Sequence, residues 1–191
     1  MDVWNLCADQ IRTLKGRLGF KTEGSLDFLA YRLYLDSGRV FDKLNGKYVV
    51  NPETLYVLLS HYAKNDIIER AGRLIRFRDL LGGHAYEVTF MKRAVNPIAE
   101  IFGFKPEKLV KAAEPLNGTE IKYGDSSVEI PALPKIPLTY ILWRGSEEFP
   151  ASSTILFDES ASNYLPTEDL AVLGEITTIR LKVSFERLAC R

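Results

Sequence analysis

The acidic side chains of the C-terminal third are the residues whose types and spacing best suit chemistry. Residues 144–175 hold seven Asp or Glu residues against a single basic residue, Arg144. Clustered carboxylates can coordinate a hard divalent cation or exchange protons with a substrate. We therefore predict a site here, with Glu147, Glu148 and Asp158 as candidate metal ligands and with Asp158, Glu168 and Asp169 as candidate catalytic residues.

The same carboxylates also have a structural explanation. The run PTEDL from Pro166 is a typical helix opening, in which Thr167 caps the helix and Glu168 and Asp169 interact favourably with its dipole. Glu147 and Glu148 are consistent with a solvated turn. The sequence leaves both interpretations of this region open.

A second candidate site is the glycine pair Gly82-Gly83, which precedes a helical pattern. Backbone N–H groups exposed before a helix can bind an anion, and several arginines lie nearby in sequence. This predicts a small anionic ligand, with Gly82, Gly83, Arg78 and Tyr86 as ligand-binding residues. The alternative is a loop that needs glycine for a positive φ angle. The chain has neither GxGxxG nor GxxxxGK[ST], so a dinucleotide fold and a P-loop are not supported.

His61 and His84 are the only histidines, and neither stands in a metal-binding motif. We predict that His84, beside the glycine pair, is the general acid or base that works with the carboxylates. His61 lies next to Tyr62 on an otherwise apolar helix, which favours a partly buried structural role. The sequence has no GxSxG elbow, zinc finger or RNP motif, so that type of serine hydrolase and nucleic-acid binding are both poorly supported.

The composition is that of one soluble domain. Apolar residues make up 46% of the 191 residues, and the 25 basic side chains equal the 25 acidic ones. A zero net charge gives no bulk attraction to nucleic acid or to an anionic membrane. No apolar run approaches the roughly 20 residues that cross a bilayer, and the first residues do not resemble a signal peptide. We expect a cytoplasmic protein that binds neither nucleic acid nor membrane.

Cys7 and Cys190 are the only cysteines, too few for a closed four-ligand zinc or iron–sulfur site within one chain. We therefore expect no intrinsic iron–sulfur cluster, and the sequence leaves the identity of any other cofactor open. A disulfide between Cys7 and Cys190 is conceivable, but two free thiols are more typical of an intracellular protein.

Hydrophobic periodicity supplies the elements that must position these residues. In the first half it predicts a helix over residues 3–16, a two-faced internal strand from Leu26 to Leu35, a turn at Ser37–Arg39 and a short return strand at Val40–Phe41. Helices follow over residues 52–64, 86–101 and 106–113, with a short strand over residues 73–77. Asn96-Pro97 either kinks the second of these helices or starts a new one.

The second half is mostly extended. It predicts strands 119–123 and 126–130 around a two-residue Gly124-Asp125 turn, then a connector, PALPKIP, and strands Leu138–Trp143 and Ser153–Phe157. A final helix begins at Pro166 and carries an apolar stripe that includes Val172 and Ile179. Residues 177–185 also alternate with period two, so helix is favoured there but strand stays open. The fold class predicted is a single α+β domain over residues 1–191, with a mixed or antiparallel sheet, flanking helices and a long C-terminal helix.

Several short motifs resemble an uncharacterised prokaryotic family, a domain of unknown function met mainly in anaerobic bacteria and archaea. The matching stretches are LLGGHAY at 80–86, Gly124-Asp125, PALPKIPLTYILW, EEFP at 147–150, LFD at 156–158 and YLPTEDL at 164–170. Some relatives carry an appended iron–sulfur domain, which implies a setting in anaerobic redox or one-carbon metabolism. The resemblance supplies no established catalytic residue.

Two functions follow from these observations, and a purely structural interaction protein is a third interpretation that the sequence leaves open. The first is a ligand-binding or accessory module of anaerobic metabolism that acts on a small anionic ligand or with a metabolic partner protein. The alternative is a metal- or carboxylate-dependent enzyme, hydrolytic or acid–base, that uses the acidic C-terminal cluster with His84.

Overall fold

The computed structural model of the protein describes residues 3–189. The helices are α1 (Val3–Arg12), α2 (Glu53–Tyr62), α3 (Gly83–Phe90), α4 (Asn96–Phe102), α5 (Glu107–Ala113) and α6 (Thr167–Ala189). The strands are β1 (Ser25–Phe28), β2 (Tyr31–Tyr34), β3 (Val40–Asp42), β4 (Lys47–Tyr48), β5 (Leu74–Arg76), β6 (Thr119–Glu120), β7 (Ser126–Leu133), β8 (Ile136–Trp143) and β9 (Ser152–Asp158).

The strands form two antiparallel sheets, in the orders β1-β2-β3-β4 and β5-β9-β8-β7-β6. Buried residues from both sheets and from all the helices join one hydrophobic core. The predicted α+β class, with its antiparallel sheets, flanking helices and long C-terminal helix, is therefore confirmed. No helix within residues 3–189 is both long and apolar enough to cross a lipid bilayer.

The internal strand predicted from Leu26 to Leu35 is wrong, because the chain turns back in its middle. Leu29 and Ala30 have φ angles of 46° and 58°, and Phe28 pairs with Tyr31 across them. Two successive left-handed residues make the tight turn that suits a two-residue hairpin. The apolar residues on both sides of the pattern therefore belong to β1 and β2.

The connector predicted at PALPKIP is also wrong. Its residues form the end of β7, a two-residue turn at Pro134-Lys135 and the start of β8. The two strands pair from Ser126↔Leu142 to Leu133↔Ile136, with a register shift between Pro131 and Leu133. The backbone N–H of Lys135 in this turn donates to the Tyr62 hydroxyl, 3.0 Å away. This hydrogen bond to the buried Tyr62 fixes the turn. The prolines around it are the reason that the sequence predicts a connector.

The predicted two-residue turn at Gly124-Asp125 is wrong as well. Strand β6 contains only Thr119 and Glu120, which pair with Glu129 and Val128 of β7. The connection between β6 and β7 is therefore a longer loop, and residues 121–123 are not a strand.

The long helix α6 resolves the ambiguity of residues 177–185, which are helical. Its buried side carries polar side chains, among them Thr177, Thr178, Arg180 and Ser184. The apolar stripe at Val172 and Ile179 lies on the partly exposed side, and Ile179 is 48% exposed.

Arg180 joins α6 to the first sheet through a buried ion pair. Its guanidinium donates to both carboxylate oxygens of Asp42, at 2.7 and 2.8 Å, and to the carbonyl of Leu29 at 3.0 Å. The guanidinium also lies 4.0 Å from the ring centroid of Tyr31. Bidentate pairing of this kind fixes orientation as well as distance, so α6 is held in one position against β2 and β3.

Candidate functional site

The first turn of α6 is a junction between three parts of the chain. Thr167 is the first residue of α6, and its hydroxyl donates to the carbonyl of Leu81 at 2.6 Å. The cap predicted for Thr167 is therefore wrong, since the hydroxyl binds the loop before α3 instead of its own helix. This contact brings the Gly82-Gly83 loop beside Glu168 and Asp169, two of the candidate catalytic residues.

A groove of about 350 Å³ runs between α3 and α6. The aromatic rings of Tyr86 and Phe90 form one wall. Ala171 and Val172 form the opposite wall. Three charged side chains also line the groove: Arg93, Glu168 and Glu175. A concave, mainly apolar surface with a few convergent polar groups is the usual form of a small-molecule site.

A π-helical turn, Met91–Val95, sits between α3 and α4 and carries Arg93 into the groove. The wider turn frees carbonyl groups from the normal helical hydrogen bonds. Hydroxyls satisfy them: Thr178 donates to Ala94 and Ser153 to Val95, each at 2.8 Å. π-turns are rare and frequent at functional sites.

The charges of the groove do not cancel. Arg93 lies 3.6 Å from Glu175, and its side chain is 62% exposed. Glu168 is exposed and has no ion-pair partner among residues 3–189. One guanidinium against two carboxylates leaves the groove with a formal charge of −1, which favours a ligand with a cationic group.

Packing explains the glycine pair. Gly82 has a φ of 78° and a Cβ atom on Gly83 would lie 2.0 Å from the carbonyl oxygen of Phe77. Both positions therefore require glycine for structural reasons. Arg78 lies 3.5 Å from Glu87, so its charge is directed away from the groove.

His84 is placed differently from its predicted role. Its side chain is 81% exposed, with Nδ1 3.9 Å from Glu87. It does not line the groove, and it contacts none of the candidate carboxylates within the described chain. Of the four predicted ligand-binding residues, only Tyr86 contributes a side chain to the groove.

Asp158 is buried and its carboxylate is fully occupied. It accepts hydrogen bonds from the backbone N–H groups of Ala71 and Gly72, at 2.9 and 2.8 Å, and from the Ser160 hydroxyl at 2.6 Å. Arg70 adds a charged donor at 3.2 Å. Burial alone would raise the pKa of Asp158, but the hydrogen bonds from Ser160, Ala71 and Gly72 outweigh it and hold the pKa below its usual range. The geometry makes Asp158 an anchor for residues 70–72.

Glu147 and Glu148 are not brought together with Asp158. They are exposed in the loop between β8 and β9, whereas Asp158 ends β9. Six residue steps along that strand span about 20 Å, which no shared metal ion bridges. Within residues 3–189, no three His, Cys, Asp or Glu side chains are grouped closely enough to hold a metal ion.

Sequence reasoning missed a contact between His61 and Asp169. His61 Nδ1 lies 2.6 Å from Asp169 Oδ2, across 108 residues of sequence. Asp169 thus contacts α2 and does not line the α3–α6 groove, whereas its neighbour Glu168 does. The contact joins residues that only the tertiary fold brings together, so no local sequence motif could have indicated it.

Cys7 is a half-buried free thiol in α1. The expectation of two free cysteines also concerns Cys190, which lies outside the described residues.

Comparison with known proteins assigns the chain to a family. A family model described as a domain of unknown function (DUF3786) matches residues 13–180. The chain belongs to this family. The match covers both sheets, the groove and most of α6. No curated protein and no solved structure showed a significant match.

Proposed function

We propose that this member of the family is a ligand-binding module and that its site is the α3–α6 groove. The observation that carries the proposal is the convergence of Tyr86, Phe90, Arg93 and Glu168 around a space of about 350 Å³. Small-molecule sites occupy roughly 300–1,000 Å³ and are lined mainly by apolar and aromatic side chains.

The ligand we propose has an aromatic or aliphatic body and an ammonium group. The body of the ligand occupies the apolar part of the groove between Tyr86 and Val172, and its ammonium group pairs with Glu168 at the open end of the groove. The rings of Tyr86 and Phe90 attract a cation further, since the face of an aromatic ring carries negative charge.

We propose further that the module is a cytoplasmic accessory protein that holds its ligand for a partner protein of anaerobic metabolism. The resemblance of its motifs to proteins fused with iron–sulfur domains supports this setting. The small anionic ligand predicted from the glycine pair is the competing outcome, with Arg93 as its cationic partner in place of Arg78.

The proposal is tested by comparing three ligands of one shape in ¹H–¹⁵N NMR titrations: phenethylamine, 2-phenylethanol and 3-phenylpropionate. We expect all three to perturb the amides of α3 and of the first turns of α6, with phenethylamine binding most tightly. Glu168→Gln weakens the amine by roughly threefold to fivefold, the equivalent of an exposed ion pair of up to about 1 kcal/mol. The same substitution leaves the alcohol unchanged.

Glu186→Gln is the matched control, because Glu186 is an exposed carboxylate on the same helix and does not line the groove. We expect it to leave all three affinities unchanged. Tighter binding of 3-phenylpropionate, reduced by Arg93→Gln, would replace the cationic ligand with an anionic one. Perturbations scattered over the surface for every compound would contradict the groove as a site.

A further inference from the structure

We propose that the cleft between α2 and the opening of α6 is an acid–base site, with His61 as its catalytic residue and Asp169 as its positioning residue. The cleft shares no lining residue with the ligand groove, so this inference is independent of the proposed function. Its substrate class is a small carboxylic ester that carries an anionic group.

The hydrogen bond between His61 and Asp169 fixes the imidazole. Asp169 is held in the first turn of α6, and its side chain is only 15% exposed. Because Asp169 Oδ2 lies 2.6 Å from Nδ1, the neutral imidazole carries its proton on Nδ1 and donates it to the carboxylate. Nε2 then has a free lone pair, as a general base requires.

The imidazole faces a cleft of about 410 Å³ that has room for a substrate. His61, 38% exposed, lines it together with Lys64, Asn65, Ser162 and Tyr164. Asn65 ties the two walls together, since its side-chain amide donates to the carbonyls of His61 and Tyr164 at 3.0 and 2.7 Å. The wall that carries His61 is thus fixed relative to the wall that carries Ser162.

Lys64 gives the cleft its preference for an anion. It lies three residues after His61, one turn further along the same face of the chain, and its ammonium is exposed. No carboxylate among residues 3–189 forms a salt bridge with it. An ammonium without a partner beside a general base suits a substrate with a carboxylate, which it binds by a charge-assisted hydrogen bond.

The reaction we propose is direct hydrolysis by water. His61 Nε2 takes a proton from water as the water oxygen bonds to the ester carbonyl carbon, and Asp169 stabilises the imidazolium that forms. The tetrahedral intermediate then breaks its bond to the leaving oxygen, which receives the proton from Nε2. The products are a carboxylic acid and an alcohol, and His61 returns to its neutral form without any other reactant.

The test compares hydrolysis of 4-nitrophenyl hemisuccinate, which is anionic, with that of neutral 4-nitrophenyl acetate. We expect His61→Ala to lower kcat/KM for both esters by about 100-fold, the usual contribution of a general base. Lys64→Gln raises KM for the hemisuccinate and leaves the acetate unchanged. His84→Ala is the matched control, because His84 is an exposed histidine away from the cleft, and we expect it to retain the wild-type rate.

Asp169→Asn and Ser162→Ala separate the roles within the cleft. The first keeps the imidazole but removes its orientation, so we expect a tenfold or greater fall in kcat with little change in KM. The second keeps full activity if water attacks directly, and loss of activity in Ser162→Ala would overturn that step.

A measurement on the wild-type protein tests the proposal even if a variant fails to fold. Long-range ¹H–¹⁵N spectra resolve the two histidines, and we expect His61 alone to show the Nδ1-protonated tautomer. The proposal is overturned if His61 shows the Nε2-protonated form. It is also overturned if wild type and His61→Ala hydrolyse both esters at the same rate.

Discussion

The carboxylate of Asp158 accepts hydrogen bonds from three backbone N–H groups, the Ser160 hydroxyl and the Arg70 guanidinium in a buried position. A buried carboxylate that holds this many donors stabilises the fold only while it is ionised. Its effect is therefore on the stability of the segment 70–72 and on how that stability changes with pH.

We predict that Asp158→Asn lowers the free energy of unfolding at pH 7 by about 3 kcal/mol, because the amide places donors against Gly72 and Arg70. Hydrogen bonds hold the pKa of Asp158 below its unfolded value, which is about 3.9. The stabilisation is thus complete above that value and is lost as pH falls through the lower, folded pKa. Urea denaturation at several pH values should show a shallower acid-side decline in the variant than in wild type.

Glu159→Gln is the control for Asp158, since Glu159 pairs with Arg73 on the surface beside it. We expect this change to leave the urea midpoint nearly unmoved. Equal losses from Asp158→Asn and Glu159→Gln would contradict an anchoring role for Asp158.

The residues of the candidate sites were only partly predictable. The acidic opening of α6 stood out by its density of carboxylates, and it does lie at both clefts. No pattern in the sequence indicates that Glu168 lines the groove with α3 while Asp169 contacts α2, because that depends on the rotation of α6. His61 was assigned a structural role for the same reason, since its partner is 108 residues away.

At the scale of elements, the groove depends on how closely α3 approaches α6. A Cβ atom at Gly174 would lie 2.6 Å from the Phe90 ring. Phe90 cannot easily move, because it stacks on Phe77 with ring centroids 4.1 Å apart and also contacts Phe157. Gly174 thus allows the contact on which one end of the groove is built.

We predict that Gly174→Ala lowers the free energy of unfolding by about 1–3 kcal/mol through overpacking. On an exposed helix the same change would raise it by about 1 kcal/mol. Gly24→Ala is the control, since its Cβ meets nothing within 4 Å and its φ is not positive; we expect a change within about 0.5 kcal/mol. A higher free energy of unfolding for Gly174→Ala than for wild type would contradict this account, since it would show that α3 and α6 can move apart without loss of stability.

The type of an element was predictable where its hydrophobic repeat extends over many residues. The predicted boundaries were wrong where a tertiary contact determines them. α2, α5 and α6 follow their apolar repeats. The Leu29-Ala30 turn uses residues that seldom adopt positive φ, and buried neighbours hold them there. The π-turn likewise depends on hydroxyls from Thr178 and Ser153, which lie far away in the chain.

At the scale of the whole molecule, Arg180 connects α6 to the first sheet. Burial alone would raise the pKa of Asp42, but hydrogen bonds from Arg180 and Asn45 hold it below its usual range. Both side chains are almost entirely buried. Removal of one partner leaves a buried charge without compensation.

We predict that Arg180→Met lowers the free energy of unfolding by about 3–5 kcal/mol. The double variant Asp42→Asn/Arg180→Met should lose less than the sum of the two single changes, because the two residues share one interaction. Lys182→Met is the control, as Lys182 is exposed on the same helix. Strict additivity in chemical denaturation would contradict the buried pair.

The most direct test of the ligand groove fills it with a bulky side chain at an exposed position outside the hydrophobic core. Thr89 is exposed and lines the groove, while the neighbouring Val88 is exposed but does not line it. In an NMR titration with phenethylamine, we predict that Thr89→Trp abolishes the perturbations of α3 and α6 and that Val88→Trp retains them. Equal binding by both variants would contradict the assignment of the groove as the ligand site.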